Sequence, residues 1–342
     1  MPITQPSLST AKETALIVEL SRSMAAAADE GAGVVSAAPF DGSVDTGPVQ
    51  SRFADYCTLA KVRLNMMVLI TTAVGYHMAT SAAGSATSMG GGGRWVGLLH
   101  VLIGTGLTAG ASAVLNQWME MDRDRKMPRT RNRPLPAGRV RPTEALIFGM
   151  ILGAAGLGYL AATTNMLTFW VGVLTIGSYL LVYTPLKTVS TLNTIVGAVP
   201  GALPPVMGYA AGAGVLGPGA MALFGILFLW QMPHFLAIAT LYREDYRAGG
   251  YKMLPVVDPD LTATSRQVLI YCAALLLVSI APSLFGMTGV LYAATALLLG
   301  TGFAMAGGLL AMTRTRKDAR TLFFASIIYL PLLLVVMVLD KT

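Results

Sequence analysis

Residues 95–136 read WVGLLHVLIGTGLTAGASAVLNQWMEMDRDRKMPRTRNRPLP, and the change of character inside this stretch decides the fold. From Trp95 to Trp118 there is no Asp, Glu, Lys or Arg. As a helix rising about 1.5 Å per residue, that run is long enough to cross a hydrocarbon core of about 30 Å. From Glu120 to Arg133, more than half the positions are charged. An apolar helix ending in a dense charge cluster marks a membrane span and its aqueous boundary. Within the span, Gly104, Gly106 and Gly110 stand among Ala109, Ala111, Ser112 and Ala113, a small-residue surface that lets a neighbouring helix approach closely.

The same pattern recurs along the chain. Of its 342 residues, 54% are hydrophobic and 12% charged, too little polar surface to coat a soluble globule of this size. Apolar runs between charge clusters predict nine helices, at about 64–83, 95–118, 143–163, 166–184, 192–212, 220–241, 267–286, 289–311 and 321–339. The fold class is therefore all-α and polytopic; the short alternating segments of a membrane barrel are missing. Pro200, Pro204 and Pro205 predict that the fifth span is kinked or broken. Residues 1–50 read as a polar, Ala-rich, disordered cytoplasmic tail, and 51–342 as the membrane domain. With nine spans and a cytoplasmic N-terminus, every Lys and Arg except Arg94 and Lys341 falls on the cytoplasmic side, as the positive-inside rule requires. That topology accounts for the net charge of +7 without nucleic acid as a partner. Cys57 and Cys272 are too few and too dissimilar in setting for a disulfide framework or a metal cluster.

Asn116, Glu120 and Asp124 stand at i, i+4 and i+8, so a helix continuing through them carries all three on one face, about 6 Å of rise apart. Mg²⁺ is a hard ion that takes oxygen ligands, commonly one or two carboxylates plus substrate phosphates. The alternative is a solvated loop in which these acids pair with Arg123, Arg125 and Lys126. Asn116 weighs against it, because an amide inside an apolar span needs partners. Beyond the row, Arg129, Arg131 and Arg133 offer forked donors suited to phosphate oxygens, whereas Arg139 and Arg141 read as topogenic charge. A second polar cluster closes the sixth span: Asp245 and Glu244 offer a metal site or base, and Arg243 and Lys252 phosphate contacts. Lys187 adds a cation on the same side. The three histidines, all within spans, read as hydrogen-bonded packing residues or as ligands able to take a haem iron, and His234, beneath the second cluster, is the best placed of them.

Three segments carry a family likeness: NQWMEMDRDRKMPRTRNRPLP from Asn116, YTPLKTVSTLNTIVGAVPGALPPVMGYAAG from Tyr183, and WQMPHFLAIATLYREDYRAGGYKMLPVV from Trp230. From about residue 52 to the C-terminus the chain resembles the protohaem IX farnesyltransferases, or haem O synthases, of the UbiA-type intramembrane prenyltransferase superfamily. The resemblance implies nine helices around a central cavity and a multi-pass protein of the cytoplasmic (inner) membrane. It implies Mg²⁺ as cofactor, farnesyl diphosphate and haem b as substrates, and association with a downstream haem A synthase or cytochrome oxidase assembly factors. Asn116, Glu120 and Asp124 match the first metal and diphosphate motif and Asp245 the second; Arg129, Arg133 and Lys187 also occupy matching positions. Thr188 stands where these enzymes often have Arg, and Leu241 where other branches have a second acid.

The implied reaction transfers the farnesyl group to a vinyl group of haem b with addition of water, giving haem O and diphosphate. Two other readings are open: a prenyltransferase acting on an aromatic quinone precursor or another lipid acceptor, and a secondary transporter. A transporter places its site near the bilayer midplane, whereas the charges here crowd one face.

Overall fold

The computed structural model describes residues 51–80 and 93–342. The expected tail over residues 1–50, and the last three residues of the first expected span, lie outside the described residues. Helices run in the order α1 (Arg52–Leu59), α2 (Val62–Ala79), α3 (Gly93–Asp124), α4 (Pro142–Thr163) and α5 (Met166–Gly177). A π-helical stretch, Ser178–Tyr183, and the turn Thr184–Leu186 continue α5. Next come α6 (Asn193–Ala213), α7 (Pro218–Leu241), α8 (Arg243–Ala248), α9 (Leu254–Val257), α10 (Thr262–Val278), α11 (Ala281–Leu284), α12 (Val290–Thr313) and α13 (Arg316–Leu339).

Among the described residues eight helical segments are long and apolar enough to cross a bilayer, and the α1–α2 pair, bent by 45°, makes a ninth when counted as one span. The expected number is reached in that way. The bend is local chemistry. Lys61 adopts the left-handed conformation (φ 48°), which stops α1, and Asn65 Nδ2 donates to the freed Ala60 carbonyl at 2.7 Å.

Burial separates an inner from an outer set of helices. Within its apolar window α6 has 67% of its residues buried, against 22% for α4. Helix α6 reaches the middle by presenting almost no side chain to α2. A Cβ on Gly75 would lie 2.0 Å from the Pro205 carbonyl oxygen, and one on Gly208 would lie 1.9 Å from that of Thr72. Only glycine permits backbones this close. Of the kink or break expected for the fifth span, the break does not occur. Despite three prolines α6 is one continuous helix, and its proline segment is packed inside the bundle rather than left open to lipid. The small-residue surface of α3 meets α4, where Leu160 lies against Gly104 and Leu115 against Gly149.

Candidate active site at the charged end of the bundle

The last two turns of α3 carry Asn116, Glu120 and Asp124 on one face, as their spacing predicts, and all three are buried. Buried carboxylates need partners. Each finds a cation from a different element. Lys187, just past the α5 continuation, brings Nζ to 2.8 Å from Glu120 Oε1 and 3.3 Å from Asn116 Oδ1. Arg133 Nη1 donates to Asp124 Oδ2 at 2.8 Å. Asn116 Nδ2 donates to Glu120 Oε2 at 2.7 Å, and Thr184 Oγ1 donates to Asn116 Oδ1 at 2.9 Å. The intramembrane amide thus has partners on both sides.

Local structure explains how the cations arrive. After α3 the chain turns at Thr130, whose hydroxyl donates to the Asp124 carbonyl, and Leu135 and Val140 then plug a core with Leu59, Val114 and Ala145. Arg139 holds the loop from outside, donating to Asp55 Oδ1 at 2.9 Å and to the Asn132 carbonyl. The loop is pinned at both edges, and Arg133 is aimed at Asp124. Ahead of Lys187, the helix widens to a π turn before Pro185, which has no N–H to donate. This widening puts the rings of Tyr183 and Tyr179 4.4 and 6.0 Å from the Lys187 ammonium. Burial works against the charge on Lys187, but Glu120 outweighs it with help from Tyr179, and the pKa is raised above the usual lysine value.

The second cluster holds Arg129 of the loop after α3. Its Nε lies 4.0 Å from Asp245 Oδ2 while the guanidinium stacks over Tyr242 at 4.9 Å and Tyr246 at 5.7 Å. The segment after α8 crosses the site. Lys252 N–H donates to the Lys187 carbonyl at 2.8 Å, and Asn193 Nδ2 donates to the Lys252 carbonyl at 2.9 Å. Its neighbour Tyr251 is buried against Met127, with its hydroxyl within electrostatic reach of Glu120 and Asp124. Burial, then the Glu120 and Asp124 carboxylates, push that hydroxyl's pKa up.

Four expected side chains point elsewhere. Lys252 contributes its backbone, but its side chain is exposed. Arg243 donates to the Pro259 carbonyl, and Arg131 is exposed. His234 Nδ1 lies 2.6 Å from Ser326 Oγ, and its ring stacks between Trp230 and Phe323, which turns it toward α13. Three participants escape sequence reasoning: Thr184, Tyr251 and Lys61, the last lying within electrostatic reach of Glu120, Asp124, Arg133 and Lys187. Thr184 and Tyr251 sit inside quoted motifs but carry no charge to single them out.

The oxygen donors of Asn116, Glu120 and Asp124 suit a hard divalent cation. Among the described residues no group of three or more His, Cys, Asp or Glu side chains is assembled to hold a metal unaided. A cation that draws its remaining ligands from phosphate fits such a site.

Residues 69–328 match the model of the UbiA prenyltransferase family, and the chain belongs to that family of membrane prenyltransferases. It is 46% identical over 287 residues to the protoheme IX farnesyltransferase of Solibacter usitatus, covering 84% of this chain and 98% of the relative. The protoheme IX farnesyltransferase of Koribacter versatilis is 39% identical over 301 residues, covering 86% and 95%. Within the family the chain falls in the protohaem IX farnesyltransferase branch. Among solved structures, one of digeranylgeranylglyceryl phosphate synthase matches with a TM-score of 0.68 at 18% identity over 84% of this chain and 98% of that one. A UbiA homologue from Archaeoglobus fulgidus bound to GPP and Mg²⁺ matches with 0.53 at 15% identity over 83% and 99%. These two likenesses concern the fold.

Proposed function

We propose that this chain transfers the farnesyl group of farnesyl diphosphate to a vinyl group of haem b, with addition of water, giving haem O and diphosphate. The observation that carries the site is the buried face of Asn116, Glu120 and Asp124 with Lys187 and Arg133 bonded to it. The acceptor is supported by relatives that share most of this chain's length and are named protoheme IX farnesyltransferases.

In this reading Asn116, Glu120 and Asp124 would hold Mg²⁺, with Asp245 as a second acidic position, and the ion would supply positive charge against the diphosphate oxygens. Lys187, Arg133 and Arg129 bind the same oxygens and stabilise the negative charge that grows as the bond from the farnesyl C1 to oxygen breaks. The electron pair of that bond leaves with diphosphate. The allylic cation is then attacked by the electron-rich vinyl carbon, and water adds to the resulting haem-side cation with loss of a proton. Tyr179 and Tyr183 shield the reacting end from water and present π faces to positive charge. The charged end lies in the cytoplasm, with the chain spanning the inner membrane; the confinement of almost all Lys and Arg to that end supports this orientation. Haem b and the farnesyl chain enter from the bilayer, and haem O passes to a haem A synthase or an oxidase assembly factor.

The test is direct: purified protein with Mg²⁺, farnesyl diphosphate and haem b yields the mass of haem O. Prenylation of an aromatic acid in its place, with haem b unchanged, would overturn the acceptor and leave the diphosphate site standing.

A further inference from the structure

The oxygens best suited to a metal already carry a cation of the protein's own. Lys187 Nζ bridges Glu120 Oε1 and Asn116 Oδ1 at 2.8 and 3.3 Å. The other Glu120 oxygen accepts from Asn116 Nδ2, and Thr184 Oγ1 donates to Asn116 Oδ1. An ammonium and a divalent ion repel each other, and Asn116 Oδ1 already accepts from both Thr184 and Lys187, so a metal bound there displaces the lysine. Lysine is a compact charge on a flexible four-carbon stem, able to swing without moving its backbone. That backbone is fixed, since the Lys187 carbonyl accepts from Lys252 N–H.

We infer that Lys187 is an exchangeable internal cation: it holds the Glu120 and Asn116 oxygens until a diphosphate arrives, then turns to the phosphate and yields those oxygens to the accompanying divalent ion. This deepens the diphosphate reading and rests on it. The physical reason is that neither ligand alone leaves the buried charges paired. A metal on Glu120 without diphosphate strands the Lys187 ammonium in a buried setting with no anion. A diphosphate that draws Lys187 away without a metal strands the Glu120 carboxylate, and an uncompensated buried charge is strongly destabilising. When both arrive, each charge has a partner. Metal and diphosphate therefore bind with positive coupling, and the coupling is reciprocal.

The experiment uses the full chain in detergent, with Mn²⁺ as a spectroscopically visible probe and farnesyl thiodiphosphate as an ester resistant to cleavage. Mn²⁺ affinity is read by electron paramagnetic resonance. In the wild type, the thiodiphosphate should tighten Mn²⁺ binding at least about tenfold. Lys187→Met should bind Mn²⁺ alone at least about threefold more tightly than the wild type, and the tightening by thiodiphosphate should shrink below about threefold. Wild-type Mn²⁺ affinity unchanged by a thiodiphosphate that is itself retained would overturn the exchange alone, and this comparison decides the matter even if Lys187→Met does not fold. A folded Lys187→Met that binds Mn²⁺ no more tightly than the wild type would overturn it too. Failure to retain thiodiphosphate with or without Mn²⁺ would overturn the diphosphate site together with the exchange.

Discussion

The two ends of the bundle use cations in opposite ways. At the charged end Lys187 and Arg133 are each bonded to a buried carboxylate on α3, and Arg129 stacks over Tyr242 and Tyr246 beside Asp245. At the other end Lys341 donates to the carbonyls of His77 and Thr80, and Arg94 donates to His77 Nδ1. Neither Arg94 nor Lys341 forms an ion pair among the described residues. Asp340 there accepts from Tyr292 N–H and bonds through its carbonyl to Gly289 N–H, which seats the chain's last residues on the start of α12. A cation on neutral carbonyls closes a helix end. Among the described residues only the charged end sets its cations on buried carboxylates, the arrangement that the proposed exchange with a metal diphosphate needs.

The comparison breaks most visibly at Asp124. Replacing it with alanine should lower haem O formation by at least about 100-fold, as the loss of transition-state charge stabilisation does elsewhere. The variant should still insert in the membrane and migrate as one species by size exclusion; full activity would end the assignment of the acidic face. Tyr251→Phe keeps the ring that seals against Met127 and removes only the hydroxyl facing Glu120. Losing a polar group near this buried carboxylate should lower kcat/KM for farnesyl diphosphate by roughly tenfold. An unchanged value, with Tyr251→Ala inactive, would make Tyr251 a packing residue.

At the opposite end, Lys341→Met should leave turnover within about twofold while the melting temperature drops by a few degrees, the scale of about 1 kcal/mol. A large loss of activity from that change would dissolve the contrast between the ends. The smallest effect concerns pH. The raised pKa of Lys187 means that its pairing stabilises the fold fully below the ordinary lysine value of 10.5 and ceases to do so as pH rises through the higher folded value. Above about pH 10.5 the wild type should therefore lose melting temperature more steeply than Lys187→Met.

Much of the charged end is readable along the chain because helices repeat. Once α3 is recognised as a span, i, i+4 and i+8 put Asn116, Glu120 and Asp124 on one face with no further knowledge. Arg129 and Arg133 lie in the loop that follows α3 and read as phosphate donors from there, but Lys187 comes from a separate segment; nothing in spacing joins it to α3, and a family resemblance is what places it with them. The same limit explains why other expected side chains are not brought onto the acidic face. Arg243 and Lys252 sit in the right loop, yet a loop turns alternate side chains in different directions, and here it turns Tyr251 inward and Lys252 out. His234 is at a suitable depth but faces α13. The prolines of α6 signal a break only while the helix is taken alone, since a helix broken in isolation can be kept continuous by its neighbours.

Composition, hydrophobic run length and the placing of Lys and Arg were enough for a helical membrane protein with nine crossings and one charged end, because each of those properties is set by neighbours along the chain and by the bilayer. The fit of Gly75 and Gly208 against backbone, the closing of Tyr251 over Glu120 and the seat of Lys187 between Asn116 and Glu120 depend on segments tens of residues apart meeting to within an ångström. Such meetings follow from how whole helices pack, and that packing set the Lys187 ammonium between Asn116 and Glu120.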